Sequence, residues 1–355
     1  MPQFADPAAA LTWLDAECAV LTLLAGTWTT ERHKHVVALS AILYRYLNDG
    51  HHADAATIHQ AARAAAAGMR DPVSEAQAMV NLAVSLALGG RSSTAIDLLE
   101  QALATYREIN QPMHEARTLH NLGCAETRIG HYDAGIAYLE ESAALFRQTG
   151  NPVGEAKVLS DLGYSLTRAG RYTAAAAQLA QAVDLTRQNG DALATSRALT
   201  NLGLVEQQLK QYHAAAQHHR QAVTVSHTNG DRAGEAHALA GLADTDLHIG
   251  RADRATERFG RALAYLRQAG DHDGQAWAIN GLGDAARATG DHQTALARHT
   301  EALTIATRVG NGPQQARAHD GIADCLHVGG LVDDAREHRR RALQIYSALG
   351  TPRAE

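Results

Sequence analysis

Residues 112–150 read PMHEARTLHNLGCAETRIGHYDAGIAYLEESAALFRQTG, and forty residues later the chain repeats the pattern as PVGEAKVLSDLGYSLTRAGRYTAAAAQLAQAVDLTRQNG. The triplet NLG at 121–123 returns as DLG at 161, NLG at 201, GLA at 241, GLG at 281 and GIA at 321, and it is NLA at 81. Gly90, Gly130, Gly170, Gly250, Gly290 and Gly330 hold one fixed place, where Lys210 stands in once. Gly150, Gly190, Gly230, Gly270, Gly310 and Gly350 hold another. A fixed period in this range marks a repeat array, in which each unit packs on its neighbours.

Each unit predicts two helices, the first over Pro112 to Ile129 and the second over Tyr132 to Thr149. Gly130 and Gly150 fall where the helices should stop, because glycine enters the left-handed region without a Cβ penalty. New starts follow at Asp71-Pro72 and Asn151-Pro152, and at the N-cap candidates Asp191, Asp231 and Asp271. No segment alternates with period two, and aromatics make up only 5% of the chain, which argues against strands.

Apolar spacing shows how a pair should close. Ala116, Leu119, Leu122 and Gly123 share one face at the helical period. Small residues recur at 116 and 123 in the first helix, and at 135 and 142 in the second, so the partner helices can approach closely. Leu-Gly in the first helix, Gly with Tyr132, Tyr172 or Tyr212 at the turn, and Ala twice in the second helix together resemble the tetratricopeptide repeat. The resemblance covers about residues 33–350. It implies an all-α, right-handed superhelical solenoid of about eight antiparallel helix pairs. The unit of forty residues is similar to the longer variants in kinesin light chain and bacterial regulators.

Residues 1–31 stand outside the period. Asp6-Pro7 starts a helix carrying Leu11, Trp13, Leu14, Val20, Leu21 and Leu24 and ending near Gly26, expected to cover the first repeat. Residues 32–355 form the array, opening with a degenerate unit at 33–68. The phrase ALTWLDAECAVLTLLA and the ending LGTPRAE resemble the corresponding segments of actinobacterial transcriptional regulators of the antibiotic regulatory type. That resemblance implies a sensor or regulatory module. The winged-helix and P-loop parts of that family are not in this sequence. At the other end Arg336 and Arg339 replace apolar residues of earlier repeats, with Arg340 and Arg341 beside them, which predicts a charged cap. With caps at both ends, no head-to-tail stacking is expected.

Net charge is −6, so no general basic field favours nucleic acid. Cys18, Cys124 and Cys325 lie far apart without a CxxC, as in a reducing, cytoplasmic setting. The start has no basic n-region, and no run is expected to reach the length of a membrane helix. The twenty histidines show no ligand spacing, and a surface place without a role is expected for them. No GxSxG or GxxxxGK[ST] occurs, so neither an enzyme nor a cofactor or metal is predicted.

One stripe of the first helix remains, at positions 77, 81, 84 and 88 and their shifts by forty. In the family resembled, the first helices line the concave groove that holds extended peptides. The stripe here carries Arg117, Asn121 and Arg128, then Lys157, Tyr164 and Arg168, then Arg197 and Asn201. Further on it carries Asp244, Trp277, Asp284 and Asp324. A bipolar groove for a protein or extended peptide is expected, basic first and acidic later, unless neighbouring repeats pair these charges. Asn121 and Asn201 would hold a bound backbone, and Trp277 would be an exposed anchor or pack on a neighbouring helix. The reading is thus a non-enzymatic binding module. Its rivals are a free-standing adaptor or peptide-signal receptor, and a small-molecule or metal sensor.

Overall fold

The computed structural model describes residues 6–27, 32–48 and 50–349. The closing residues 350–355, including Gly350, and the first five residues lie outside them. Among the described residues there are seventeen α-helices and no strand. Helix α1 spans Pro7–Thr27. Eight pairs follow: α2 (His33–Asn48) with α3 (His52–Gly68), α4 (Pro72–Leu88) with α5 (Ser92–Glu108), and so to α16 (Gly312–Val328) with α17 (Val332–Ala348). The quoted repeat forms α6 (Pro112–Arg128) and α7 (Tyr132–Gln148), each one residue shorter than the sequence predicts.

Each helix end follows from local chemistry. The Asp71, Asn151, Asp191, Asp231 and Asp271 side chains accept from the amide three residues on, at 2.9–3.1 Å. At the other end of α6 the amide of His131 bonds Glu126 O and that of Gly130 bonds Thr127 O, with Gly130 at φ +90°. This pairing satisfies carbonyls the helix leaves open. Lys210 adopts the same left-handed conformation at φ 58°, without glycine's freedom.

The chain divides into two compact units, residues 1–158 and 159–355, with the division inside α8 (Pro152–Arg168). In the first, α1 packs on α3, and Cys18 and Ala25 join Leu43, Leu47, Ile58 and Ala62 in one core. A second core runs from Ala76 to Ala125 through Leu99 and Tyr106. In the second unit the core is centred on Leu239, Phe259, Leu266 and Ile279. Within each unit the first helices of successive pairs touch one another (α2 with α4, α4 with α6; α10, Ala192–Gln208, with α12, Arg232–His248, then α14, His272–Ala288, then α16). Within each unit they therefore lie side by side as a layer, and the stripe runs along it.

Small residues close the pairs as expected. A β-carbon on Gly123 would meet Leu139, and one on Gly163 would meet Leu179. From Gly203 onward the fill changes from leucine to rings. His219 lies against both Gly203 and Gly241, Phe259 against Gly281, and His299 against both Gly283 and Gly321.

Two expectations are corrected here. Ala8–Thr27 is long and apolar enough, by length and composition, to cross a membrane. One side of it is buried on α3, while Leu11, Val20 and Leu23 face outward. Several histidines are core residues and not surface ones: His59, His219 and His299 are fully buried, and His120 and His319 nearly so.

Candidate functional site

The stripe in the first unit is basic and open. Arg117 and Arg128 on α6 and Lys157 on α8 are exposed and make no ion pair among the described residues. Asn121 stands between the two arginines on the same face, half-buried, its side-chain amide making no hydrogen bond among the described residues. One repeat earlier the equivalent Asn81 is buried and committed: it accepts from Gln77 at 2.9 Å and approaches Ser40 Oγ at 3.5 Å. Other arginines nearby are paired. Arg107 bonds Glu115 at 2.7 Å, and Arg147 bonds Glu155 at 2.7 Å. An exposed pair contributes at most about 1 kcal/mol, but its absence leaves the stripe cations free for another carboxylate.

In the second unit the stripe begins in the same way. Tyr164 is 55% exposed and Arg168 half-buried, both on α8. Arg197 on α10 is exposed and makes no ion pair among the described residues, and Asn201 is half-buried with no side-chain hydrogen bond among them.

From α12 onward the expected acidic ladder is corrected. Arg317 reaches back across two helices. Its Nη2 lies 2.7 Å from Asp244 Oδ1 and 2.7 Å from Asp284 Oδ2, and its Nε donates to Asp284 at 2.9 Å. Asp324 is held by Arg339 at 2.5 Å and approached by Arg287 at 3.8 Å. Burial disfavours the Arg317 charge, but Asp244 and Asp284 outweigh it and raise its pKa. Burial likewise works to raise the Asp284 carboxyl, yet Arg317, His299 and Arg287 hold it below the usual carboxylate range. Three carboxylates thus meet three guanidinium groups, and no free acidic half is left for a ligand.

Trp277 is no exposed anchor either. It is half-buried against the core, and its indole N–H donates to Asp244 at 2.5 Å. The ring centroid lies 6.1 Å from that of His237, which itself bonds Asp271 at 2.8 Å. Arg317 stands at the stripe position equivalent to Arg117, seven residues before Asp324. The signal of its pairing was a spacing of 33 residues, which links both Trp277 to Asp244 and Arg317 to Asp284.

Glycine replaces the amide of the stripe at 241, 281 and 321 for a steric reason. In these repeats the ring of His219, Phe259 or His299 takes the room a side chain would need. Asn121 and Asn201 have no such ring expected beside them, since the preceding register positions are Leu99 and Leu179. The charged end at α17 is also self-paired. Arg336 bonds Asp333 at 3.2 Å, while Arg340 and Arg341 share Glu337 at 2.8 and 2.9 Å.

An all-α repeat of closely packed helix pairs, with one open polar stripe on its first helices, defines a class of interaction scaffold. The tetratricopeptide-repeat profile matches residues 74–148, 114–188, 154–226, 195–268 and 234–308, and a second profile of that repeat matches 282–349, so the chain belongs to the tetratricopeptide-repeat family. The comparison with curated proteins finds no match. Among solved structures it is similar to aspartyl phosphate phosphatase F from Bacillus subtilis (10% identity, TM-score 0.69, covering 100% of this chain and 99% of that one). It is also similar to a Rap protein complexed with Competence and Sporulation Factor (13%, 0.61, 96% and 99%). A third is the STAND protein with a tetratricopeptide repeat sensor, PH0952 from Pyrococcus horikoshii (13%, 0.61, 97% of this chain and 52% of that one). At such identities the likeness is one of fold.

Proposed function

We propose that this chain is a non-enzymatic protein- or peptide-binding module that takes an acidic, extended segment on the first-helix face of its N-terminal unit. The observation that carries this is the set Arg117, Arg128 and Lys157: exposed cations without an ion pair among the described residues, beside the uncommitted amide of Asn121. From α12 onward the stripe charges are spent internally, as at Arg317 with Asp244 and Asp284. A bidentate arginine–carboxylate contact and a bidentate amide–backbone contact are what such a set offers. Arg197 and Asn201 offer the same pair of contacts on α10 of the second unit.

We further read the chain as the sensor or regulatory part of a bacterial, cytoplasmic transcriptional regulator. Support comes from the resemblance of residues 10–25 to regulators of the antibiotic regulatory type, and from the likeness to a protein whose repeat portion is called a sensor. A free-standing peptide receptor uses the same face. The test is capture of partners from native lysate on wild type and on Arg117→Glu/Arg128→Glu. A partner held by wild type and lost by the variant supports the reading. Equal capture by both removes this face from it.

A further inference from the structure

The geometry points to a site for a divalent transition-metal ion of zinc-like preference, formed by Cys18, His51 and Asp54. Cys18 lies in the middle of α1 and is buried, while His51 and Asp54 stand, half-buried, at the start of α3. One donor atom from each, a thiol sulfur, an imidazole nitrogen and a carboxylate oxygen, lies within 4.8 Å of the other two. A tetrahedral zinc ion with bonds of about 2.0–2.3 Å separates its donors by about 3.3–3.8 Å. Side-chain movement of about an ångström closes this set around one ion.

The donor chemistry sets the class of ion. Sulfur and imidazole nitrogen select zinc-like metals, whereas magnesium and calcium take oxygen donors. The surroundings hold the imidazole in place. The Tyr46 ring stacks on His51 with centroids 4.5 Å apart, and its hydroxyl donates to Asp15 Oδ1 at 2.9 Å. That same oxygen is 3.9 Å from His51 Nε2 and lies outside the three-donor set, so a water completes four-coordination. The three ligands come from two helices far apart in sequence, which is why no spacing in the chain announces them. A bound ion would cross-link α1 to the first helix pair, where the packing otherwise rests on one side of an outward-facing apolar helix.

The full chain, reduced and freed of metal by a chelator, is titrated with Co²⁺ as a visible stand-in for Zn²⁺. One ion per chain should bind with thiolate-to-cobalt charge-transfer absorption, and Zn²⁺ should displace it. Cys18→Ser should abolish the absorption, while His51→Ala and Asp54→Asn should weaken binding about tenfold or more. Cys124→Ser and Cys325→Ser should keep it. Circular dichroism confirms that each variant is folded. As a second readout, Zn²⁺ should slow amide exchange in α1 of wild type and do so only at higher concentration in Asp54→Asn. No charge-transfer absorption, or absorption that survives Cys18→Ser or is lost with Cys124→Ser, overturns the assignment.

Discussion

The imidazole of His219 occupies the space in which residue 241 would carry a β-carbon, and residue 241 is glycine. His219 is fully buried and fills the gap between successive first helices, α10 at Gly203 and α12 at Gly241. Earlier repeats solve the same problem with leucine in the second helix and asparagine in the next first helix, as at Leu179 and Asn201. Gly241→Asn should therefore overpack the contact and cost about 1–3 kcal/mol. Adding His219→Leu should recover part of that loss, giving a favourable coupling in a double-mutant cycle read by urea denaturation. Additive losses would mean that ring and glycine are not a matched pair.

Gly203→Leu tests the other side of the same ring. Its β-carbon would lie 2.6 Å from His219 Nε2, closer than real side chains approach. Damage in an array of nearest neighbours begins locally, so hydrogen exchange should quicken first in α10 and α11 (Tyr212–Thr228).

Buried histidines make stability fall on the acid side. Burial lowers the pKa of His59 to about 4 and that of His219 to about 3, against 6.5 in an unfolded chain. Between those values the unfolded chain binds the proton and the folded chain does not. Stability contributed by each ring is therefore full above pH 6.5 and declines as pH falls toward the folded pKa. For His59 the loss down to pH 4 is about 3 kcal/mol as an upper estimate. His59→Leu should flatten this part of the stability–pH curve, at the cost of the 2.8 Å bond to Ser40. An unchanged slope would show that His59 titrates normally.

Arg317 is predicted to be structural. Arg317→Met removes the cation shared by Asp244 and Asp284, leaving Asp284 with Arg287 at 3.7 Å and Asp244 with the indole N–H of Trp277. The side chain is 26% exposed, so the loss should be about 1–3 kcal/mol, below that of a fully buried pair. Asp284 should then titrate at higher pH, and the stability deficit of the variant relative to wild type should shrink on mild acidification. A melt indistinguishable from wild type would count against the network.

The helix pairs, their caps and the small contact residues were all legible because they repeat every forty residues. Gly130 and Asn151 announce a stop and a start by their own backbone chemistry. The side-chain network was not legible in that period. Arg317 meets Asp284 across 33 residues and Asp244 across 73, since stacked helices bring together positions two turns apart on successive repeats. Reading Asp244, Asp284 and Asp324 as a column therefore suggested a free acidic ladder where the fold makes ion pairs. Burial of His219 was hidden for a similar reason. A histidine on a polar-looking helix, in the string HAAAQHHRQ, signals a core place only through its register with Leu179 and Phe259.

The central claim is that the basic stripe of the N-terminal unit is the binding face. Its most direct test is the affinity of a labelled, extended acidic peptide for wild type and for Arg117→Glu/Lys157→Glu, measured by fluorescence anisotropy over a range of salt. Wild type should bind the acidic peptide more tightly than a basic one of equal length, with affinity falling as salt rises. The double variant should lose about tenfold or more and show a flatter salt dependence, its helical circular dichroism unchanged. Equal affinity of wild type and variant for the acidic peptide, at every salt concentration, would contradict the account.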